Sequence, residues 1–252
     1  MSHHRHIALL LAGGSGSRMH ADCPKQFMQV DGETVLLHTM RAFERHPLVH
    51  DIYVVCADEW STPVLQEAMG RGIKKLRRCI TAGDTGFDSL RNGIDALCHL
   101  EYDDESLVLV HDAVRPLVTQ DIISRNIAVC QAHGNAITAI GCNEAFLVSQ
   151  DGMTSTGFQP RESMLRAQTP HTFPLGTLRQ MLARAREQGI THSQSLFTLA
   201  NELGFTPLHV AQGDTLNFKL TLPQDILIYQ ALRAPLSSPQ GGRLCSCSPF
   251  VQ

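Results

Sequence analysis

Long apolar runs and an excess of positive charge are both missing from this sequence. No stretch reaches the roughly 20 apolar residues that a membrane-spanning helix requires. The formal net charge is −3, so nothing suggests the broad basic surface by which proteins bind nucleic acid or anionic membranes. We therefore expect no membrane and no nucleic acid as partner, and any bound anion must be held by local cations.

The eight cysteines lack the spacing of a zinc site or of a C-x-x-C redox motif. Most are dispersed through apolar segments, a pattern typical of buried thiols in a reducing compartment. The short apolar run at 6–12 leads into glycines without a signal-peptide cleavage site. The sequence therefore predicts a cytoplasmic protein.

Strand and helix patterns alternate from the first apolar run to residue 141. Strand patterns fall at 6–12, 51–57, 77–83, 106–112 and 135–141. Helical patterns fall at 34–46, 61–70, 88–100 and 119–134. This alternation indicates an α/β domain with a largely parallel sheet and right-handed crossovers.

The rhythm breaks at 142–173, where a D-G turn between extended pieces predicts a β-arm that leaves the main sheet. Later patterns predict helices at 175–189, 195–204 and 223–233, a strand at 205–213 and an extended segment at 216–221. We interpret residues 1–233 as a single domain. Residues 234–252 are rich in Pro, Ser and Gly and predict a disordered tail.

The stretch "AGGSGSR" at 12–18 follows the first strand directly. Such a turn exposes backbone amides that bind phosphate oxygens, and Arg18 and Lys25 add positive charge nearby. The stretch matches neither the G-x-x-x-x-G-K-[ST] motif nor the full G-x-G-x-x-G motif. On these residues alone, both a phosphate site and a plain structural turn stay open.

Three further places carry candidate chemistry. Asp112 ends a buried strand at the sheet edge where ligands bind, so it either holds Mg²⁺ or caps a loop, while His111 should point to the opposite face. Residues 82–93 suit contacts to a base and ribose, or a helix cap by Asp88 or Ser89. Lys219 is either a phosphate ligand or an ordinary surface lysine.

Taken together, "LAGGSGSRM…PKQF", "HDAVRP", "RAQTPHTF" and "NFKLTLPQD" resemble the polyol-phosphate cytidylyltransferase family. Its members act on 2-C-methyl-D-erythritol 4-phosphate, in isoprenoid biosynthesis, or on D-ribitol 5-phosphate. The resemblance runs from about residue 6 to 233. It implies a Rossmann-like nucleotidyltransferase domain, a homodimer formed through the arm, CTP and a small polyol phosphate as substrates, and Mg²⁺ as cofactor.

The resemblance also assigns roles to individual residues. It implies a catalytic role for Arg18, Lys25 and Lys219, contact with the acceptor for Arg115 and Arg161, and metal binding for Asp112. In the family, the arginine at the position of Arg161 reaches the partner subunit's site. The positions that it implies for nucleotide binding are Leu11, Ala12, Gly13, Gly14, Gly83, Asp84, Ser89 and Ala113.

Two stretches depart from the family pattern. "CNEAF" at 142–146 replaces a T-D-T-like stretch, and "THSQS" at 191–195 lacks the acidic residue of a T-D-D-like stretch. "DSLRNG" favours the methylerythritol branch, whereas "VCADEW" and "RESM" favour the ribitol branch, so the acceptor stays open. Two alternatives remain: a sugar-phosphate nucleotidylyltransferase that uses another NTP, and a degenerate member that binds CTP without turnover.

Overall fold

The structure is a computed structural model, and it describes residues 4–14 and 23–234 of the chain. Its strands are β1 (His6–Leu11), β2 (Gln29–Val30), β3 (Glu33–Thr34), β4 (Asp51–Cys56), β5 (Leu76–Thr81), β6 (Leu107–Asp112), β7 (Ala136–Gly141), β8 (Phe146–Val148), β9 (Gly157–Gln159), β10 (Leu165–Pro174) and β11 (Val210–Gln212). Its α-helices are α1 (Val35–Arg45), α2 (Asp58–Gly70), α3 (Gly86–Cys98), α4 (Gln120–His133), α5 (Leu175–Glu187), α6 (Leu196–Glu202) and α7 (Pro223–Arg233). Short 3₁₀ helices lie at Lys25–Phe27 and Arg161–Ser163. The predictions for Arg18 and for most of the tail lie outside the described residues.

Seven strands form the main sheet in the order β11-β7-β10-β6-β1-β4-β5. All neighbours are parallel except β10, which runs antiparallel to both β6 and β7. The predicted α/β class with a largely parallel sheet is therefore confirmed. Because parallel strands end at the same edge, the segments that follow β1, β5 and β6 meet there.

Apolar side chains cover both faces of the sheet, as expected when helices pack on each side. Alternation along β1 sends Leu10 to the face under α1, α2 and α4, and Leu9 to the face under α3, α5 and α6. Thr34 and Thr119 cap α1 and α4 with their side chains. Among the described residues, no helix is long and apolar enough to cross a membrane.

The predicted extent of the arm is wrong at its C-terminal end. The hairpin that leaves the sheet consists of β8 and β9, paired from Phe146 with Gln159 to Val148 with Gly157. Residues 165–173, expected in the arm, belong to β10 in the middle of the main sheet. The late strand pattern was also too long, since only Val210–Gln212 pairs with β7, and the segment 216–221 forms no strand.

Candidate active site

A cavity of about 440 Å³ opens at the carboxyl edge of the sheet. It brings together most of the predicted site residues. The turn after β1 contributes Leu11, Ala12, Gly13, Gly14 and Lys25 to its lining. The rest of the chain contributes the predicted residues Ser89, Asp112, Arg115 and Lys219. The cavity is thus built from segments far apart in sequence, from Leu11 to Lys219.

The glycine turn is held from below by Gln26. Its side-chain amide donates to the carbonyls of Ala12 at 2.6 Å and Gly14 at 2.8 Å. Gln26 is buried, as is Lys25 beside it in the 3₁₀ helix. The carbonyls of Ala12 and Gly14 therefore point toward Gln26, which fixes the backbone where the described part of the turn begins.

Gly13 is required by close packing. A Cβ placed there would lie 2.7 Å from the Ala82 Cβ and 2.8 Å from the Ser89 Oγ. Ser89 Oγ in turn accepts from the Gly83 N–H at 3.1 Å. Helix α3 is capped by Thr85, whose Oγ1 accepts from the Asp88 N–H at 3.0 Å, so the cap expected at Asp88 or Ser89 is wrong. Ser89 is instead a link between the two loops.

Asp112 is the centre of an ion cluster at the end of β6. Its Oδ2 accepts from Arg115 Nε at 2.9 Å, and its Oδ1 accepts from Lys219 Nζ at 3.1 Å. Burial by itself would raise the pKa of the Asp112 carboxyl, but the charges of Lys219 and Arg115 outweigh it and hold this pKa well below its usual range. The cluster therefore carries two cations against one carboxylate, a net positive charge that favours an anionic ligand.

Hydrogen bonds from two other segments hold this cluster in place. Thr169 Oγ1 accepts from the Asp112 N–H at 3.0 Å. Asn217, fully buried, donates to the Thr169 carbonyl at 2.9 Å, and its own carbonyl accepts from Arg115 at 2.9 Å. Strand β10 and the segment around residue 217 thus orient the charged groups of β6.

Some predicted residues lie away from the cavity. Gly83 adjoins it through Ser89, Asp84 is exposed, and Ala113 is buried with its N–H donated to the Leu11 carbonyl at 3.0 Å. Arg161 lies beyond β9, with its side chain exposed and paired with Glu162 at 3.2 Å. Arg18 lies outside the described residues.

The structure also shows site residues that had no individual prediction. Gln26, Thr169, His171 and Ser193 line the cavity or contact its ion cluster. Each falls in a stretch quoted for the family resemblance or for a departure from it, namely "PKQF", "RAQTPHTF" and "THSQS". Those stretches were the available signal, but it is the pairing of β10 with β6 that brings Thr169 and His171 to the cavity.

The mostly parallel sheet, with a glycine-containing segment after its first strand and a carboxylate at the end of the neighbouring strand, has the nucleotidyltransferase fold of its structural neighbours. The 2-C-methyl-D-erythritol 4-phosphate cytidylyltransferase (IspD) family matches residues 6–234, and the chain belongs to that family. It is therefore a cytidylyltransferase.

Relatives of two kinds support this assignment. The chain is 32% identical over 226 residues to a ribitol-5-phosphate cytidylyltransferase of Lacticaseibacillus paracasei, covering 89% of this chain and 96% of the relative. It is 34% identical over 236 residues to a 2-C-methyl-D-erythritol 4-phosphate cytidylyltransferase of Geotalea uraniireducens, covering 93% and 99%. Both kinds match along nearly their whole length.

Solved structures agree. The crystal structure of a 4-diphosphocytidyl-2C-methyl-D-erythritol synthase superposes with a TM-score of 0.74 at 27% identity, covering 91% of this chain and 99% of that one. The 2-C-methyl-D-erythritol 4-phosphate cytidylyltransferase of Thermus thermophilus gives a TM-score of 0.72 at 27% identity, covering 90% and 98%.

Proposed function

We propose that this enzyme transfers CMP from CTP to a small polyol phosphate, either 2-C-methyl-D-erythritol 4-phosphate or D-ribitol 5-phosphate, and releases pyrophosphate. The observation that carries the proposal is the ion cluster of Asp112, Arg115 and Lys219 in the same cavity as the glycine turn. A triphosphate on the turn and a phosphate at the cluster would meet between them.

In this reaction a phosphate oxygen of the acceptor attacks the α-phosphorus of CTP. The new P–O bond forms as the bond to the β-phosphate oxygen breaks, and that oxygen leaves with its electron pair on pyrophosphate. Two anions approach each other, so the protein must supply position and positive charge rather than a covalent nucleophile. Lys25 and Arg18 are proposed to act on the triphosphate, and Arg115 and Lys219 on the acceptor phosphate and the reacting phosphorus.

The remaining proposed contacts follow the cavity wall. The backbone of residues 11–14 would hold the triphosphate, while Gly83, Asp84, Ser89 and Ala113 would surround the cytosine and ribose. The hydrogen bond between Gly83 and Ser89, at 3.1 Å, supports a shared pocket for the first three. For Ala113, support comes from its position next to Asp112 and from its bond to Leu11.

Mg²⁺ is the metal that this site would take, with Asp112 as its protein ligand. Mg²⁺ commonly binds through one or two carboxylates together with substrate phosphates and water. Asp112 offers one such carboxylate, kept ionised by its neighbours, and within the described ranges no group of three or more His, Cys, Asp or Glu could hold a metal without substrate. The donor set therefore fits a metal that binds with CTP, and the bound ion would neutralise charge on the phosphates.

A homodimer through the hairpin belongs to the same proposal. Leu147 and Phe158 face each other across the β8–β9 pair, and they are 73% and 72% exposed. Apolar side chains this exposed on a projecting hairpin support burial against a second copy of the chain. Arg161 follows β9 and would reach the partner's cavity. The six cysteines of the described residues are free thiols, which supports a cytoplasmic location.

The direct test is pyrophosphate release with Mg²⁺, with each of CTP, UTP, ATP and GTP, and with a panel of polyol phosphates. We expect release only with CTP and with one of the two named acceptors. Release with another NTP and a sugar phosphate would instead identify the sugar-phosphate nucleotidylyltransferase. Binding of CTP without release on any acceptor would identify a degenerate member, a possibility raised by the altered stretches 142–146 and 191–195.

A further inference from the structure

His171 places an unused polar atom in the wall of the cavity. The residue lies on β10, is 5% exposed and lines the cavity. Its Nε2 is buried and has no hydrogen-bond partner among the described residues. Buried polar atoms in folded proteins nearly always have a partner, so an atom left without one in a cavity wall points to a ligand.

The surroundings of the His171 ring determine whether it is charged. Burial lowers the pKa of His171 to about 4, so the ring is neutral at neutral pH and carries one proton. A neutral imidazole carries its proton on one nitrogen and a lone pair on the other. Because a hydroxyl group both donates and accepts, Nε2 can form a hydrogen bond with an O–H group in either tautomer.

The strand order places His171 and the glycine turn on opposite sides of β6. The glycine turn follows β1, Asp112 ends β6, and His171 lies on β10, so β6 separates His171 from the turn. Within the sheet, His171 is paired with Val110 of β6. A nucleotide on the turn would thus leave the side near β10 to the acceptor.

The lining on that side is neutral. It includes Gln168, Thr169 and His171 of β10 and the nearby Phe197, and we call these four residues the acceptor side. The ring of Phe197 stands at 89° to the imidazole, with centroids 5.5 Å apart. The charged groups of the lining are Lys25, Asp112, Arg115 and Lys219, and the Asp112 cluster borders the acceptor side, since the Asp112 N–H donates to Thr169 Oγ1. One part of the cavity thus suits phosphates, and the acceptor side suits an uncharged hydroxylated chain.

A second histidine shows that an unpartnered nitrogen alone is not sufficient. His111 Nδ1 also lacks a partner among the described residues. His111 also lines the cavity, but its ring packs edge-on against Phe43 at 5.1 Å in the core beneath α1, whereas Phe197 packs on the opposite face of the sheet. His111 therefore does not belong to the acceptor side. This agrees with the expectation that His111 points away from Asp112.

We propose that Nε2 of His171 forms a hydrogen bond with a hydroxyl of the acceptor's polyol chain and thereby helps to select which polyol phosphate is used. This inference rests on the proposed function for the identity of the acceptor. A site that hydrogen-bonds a substrate hydroxyl discriminates strongly against analogues that lack or misplace that hydroxyl. His171 is therefore a specificity-determining residue, separate from the cationic groups that bind phosphate.

The first experiment observes the nitrogen itself. The protein is labelled with ¹⁵N-histidine, and the Nε2 resonance of His171 is assigned by comparison with His171→Gln. CTP, 2-C-methyl-D-erythritol 4-phosphate and D-ribitol 5-phosphate are then added singly and in pairs with Mg²⁺. We expect a polyol phosphate to move the Nε2 resonance in the direction of hydrogen bonding. A resonance that no polyol phosphate moves, or that CTP alone moves to the same extent, overturns the proposal.

The second experiment separates binding from folding. His171→Phe removes the hydrogen-bonding nitrogen, whereas His171→Gln keeps an amide group at a similar reach. We expect His171→Phe to raise KM for the polyol phosphate about tenfold and to leave KM for CTP unchanged. In His171→Gln, KM for the polyol phosphate should be close to that of wild type. His6→Phe is the matched control. His6 also has a buried ring nitrogen without a partner among the described residues, but it is the first residue of β1, at the end of the strand away from the cavity.

The outcomes distinguish the two proposals. An acceptor that turns over normally in His171→Phe, with an unmoved Nε2 resonance in wild type, overturns the role of His171 and leaves the proposed function standing. A resonance moved by a polyol phosphate without any pyrophosphate release supports His171 as a ligand of hydroxyls and overturns the proposed function. Equal KM effects in His171→Phe and His6→Phe overturn the specific role.

Discussion

Lys219 Nζ lies 3.1 Å from Asp112 Oδ1, although 107 residues separate them along the chain. Arg115 holds the other carboxylate oxygen at 2.9 Å. The three groups are therefore in contact with one another at the edge where the ends of β1 and β6 lie side by side. Phosphoryl transfer benefits from such preorganised charge, because the charged side chains need not move as negative charge develops in the transition state.

Lys219 provides the first prediction. Lys219→Ala should fold and lose turnover by about a hundredfold or more, equivalent to about 3 kcal/mol of transition-state stabilisation. The measurement is the rate of pyrophosphate release at saturating CTP and acceptor, with circular dichroism as a check on folding. Lys74→Ala, an exposed lysine near β5, is the control. Near-normal turnover in Lys219→Ala would remove this lysine from the mechanism.

The packing of Gly13 provides a stability prediction. Gly13→Ala places a methyl group against Ala82 and Ser89 and should lower the free energy of unfolding by about 1–3 kcal/mol. Gly14→Ala has nothing within 4 Å of its Cβ, so its stability should stay within about 0.5 kcal/mol of wild type. Urea unfolding of both variants decides the matter. Equal stabilities would show that the turn relaxes around the added methyl group.

The amide of Gln26 provides a prediction on nucleotide binding. Gln26→Leu removes the two hydrogen bonds to the carbonyls of Ala12 and Gly14. We expect KM for CTP to rise about tenfold, because the turn must then be ordered by the ligand. Gln120→Leu removes a comparable bond to the Ala42 carbonyl, away from the cavity, and should leave KM unchanged. Titration of CTP in both variants is the measurement, and an unchanged KM in Gln26→Leu would contradict the proposed support.

Asp51 provides a prediction on acid stability. Burial would raise the pKa of its carboxyl, but hydrogen bonds from Arg5, Arg77 and Tyr102 together lower it. Because the folded pKa is below that of the unfolded chain, the contribution to stability is present above about pH 3.9 and is lost as the pH falls through the folded pKa.

Asp51→Asn should therefore be less stable than wild type at pH 7, by about 1–3 kcal/mol. The difference between the two proteins should shrink as the pH is lowered from 5 to 3. Urea unfolding at a series of pH values measures it, with the exposed Glu187→Gln as the charge-matched control. A difference that stays constant down to pH 3 would show that the ionised carboxyl is not what stabilises this contact.

The hairpin provides a prediction on assembly. Leu147→Asp should give a monomer by analytical ultracentrifugation, with loss of turnover, because it puts a charge into the proposed apolar interface. Met69→Asp, at an equally exposed apolar residue on α2 (78% exposed), should remain dimeric and active. A dimeric Leu147→Asp variant would place the interface elsewhere.

Mixing Lys219→Ala with Arg161→Ala, two variants that we expect to be inactive on their own, tests whether Arg161 acts on the partner subunit's site. In a heterodimer of Lys219→Ala with Arg161→Ala, one cavity has an intact Lys219 and receives an intact Arg161 from the other subunit. Random mixing should thus restore about a quarter of wild-type activity. If Arg161 acts within its own subunit, no cavity in the mixture is complete and activity stays absent.

The sequence alone predicted much of the fold and part of the site. The bounds of α7 match the prediction, and strands such as β1 and β6 match within one residue. These elements are predictable because hydrophobic periodicity and helix capping depend on residues close together in the sequence. The cluster at the end of β6 was also predicted in part, since a carboxylate after a buried strand in an α/β pattern falls at the ligand-binding edge.

What only the tertiary structure decided comes from contacts between distant segments. The "RAQTPHTF" stretch inserts between β6 and β7 as an antiparallel strand, and nothing in its local pattern distinguishes that from an arm. The same insertion brings Thr169 to the backbone of Asp112 and places His171 in the cavity wall. Which strands pair with β10 depends on the free energy of the whole sheet, and the local sequence of β10 does not determine it. The sequence by itself therefore determined the elements and the edge where the site lies, and the packed sheet determined which side chains meet there.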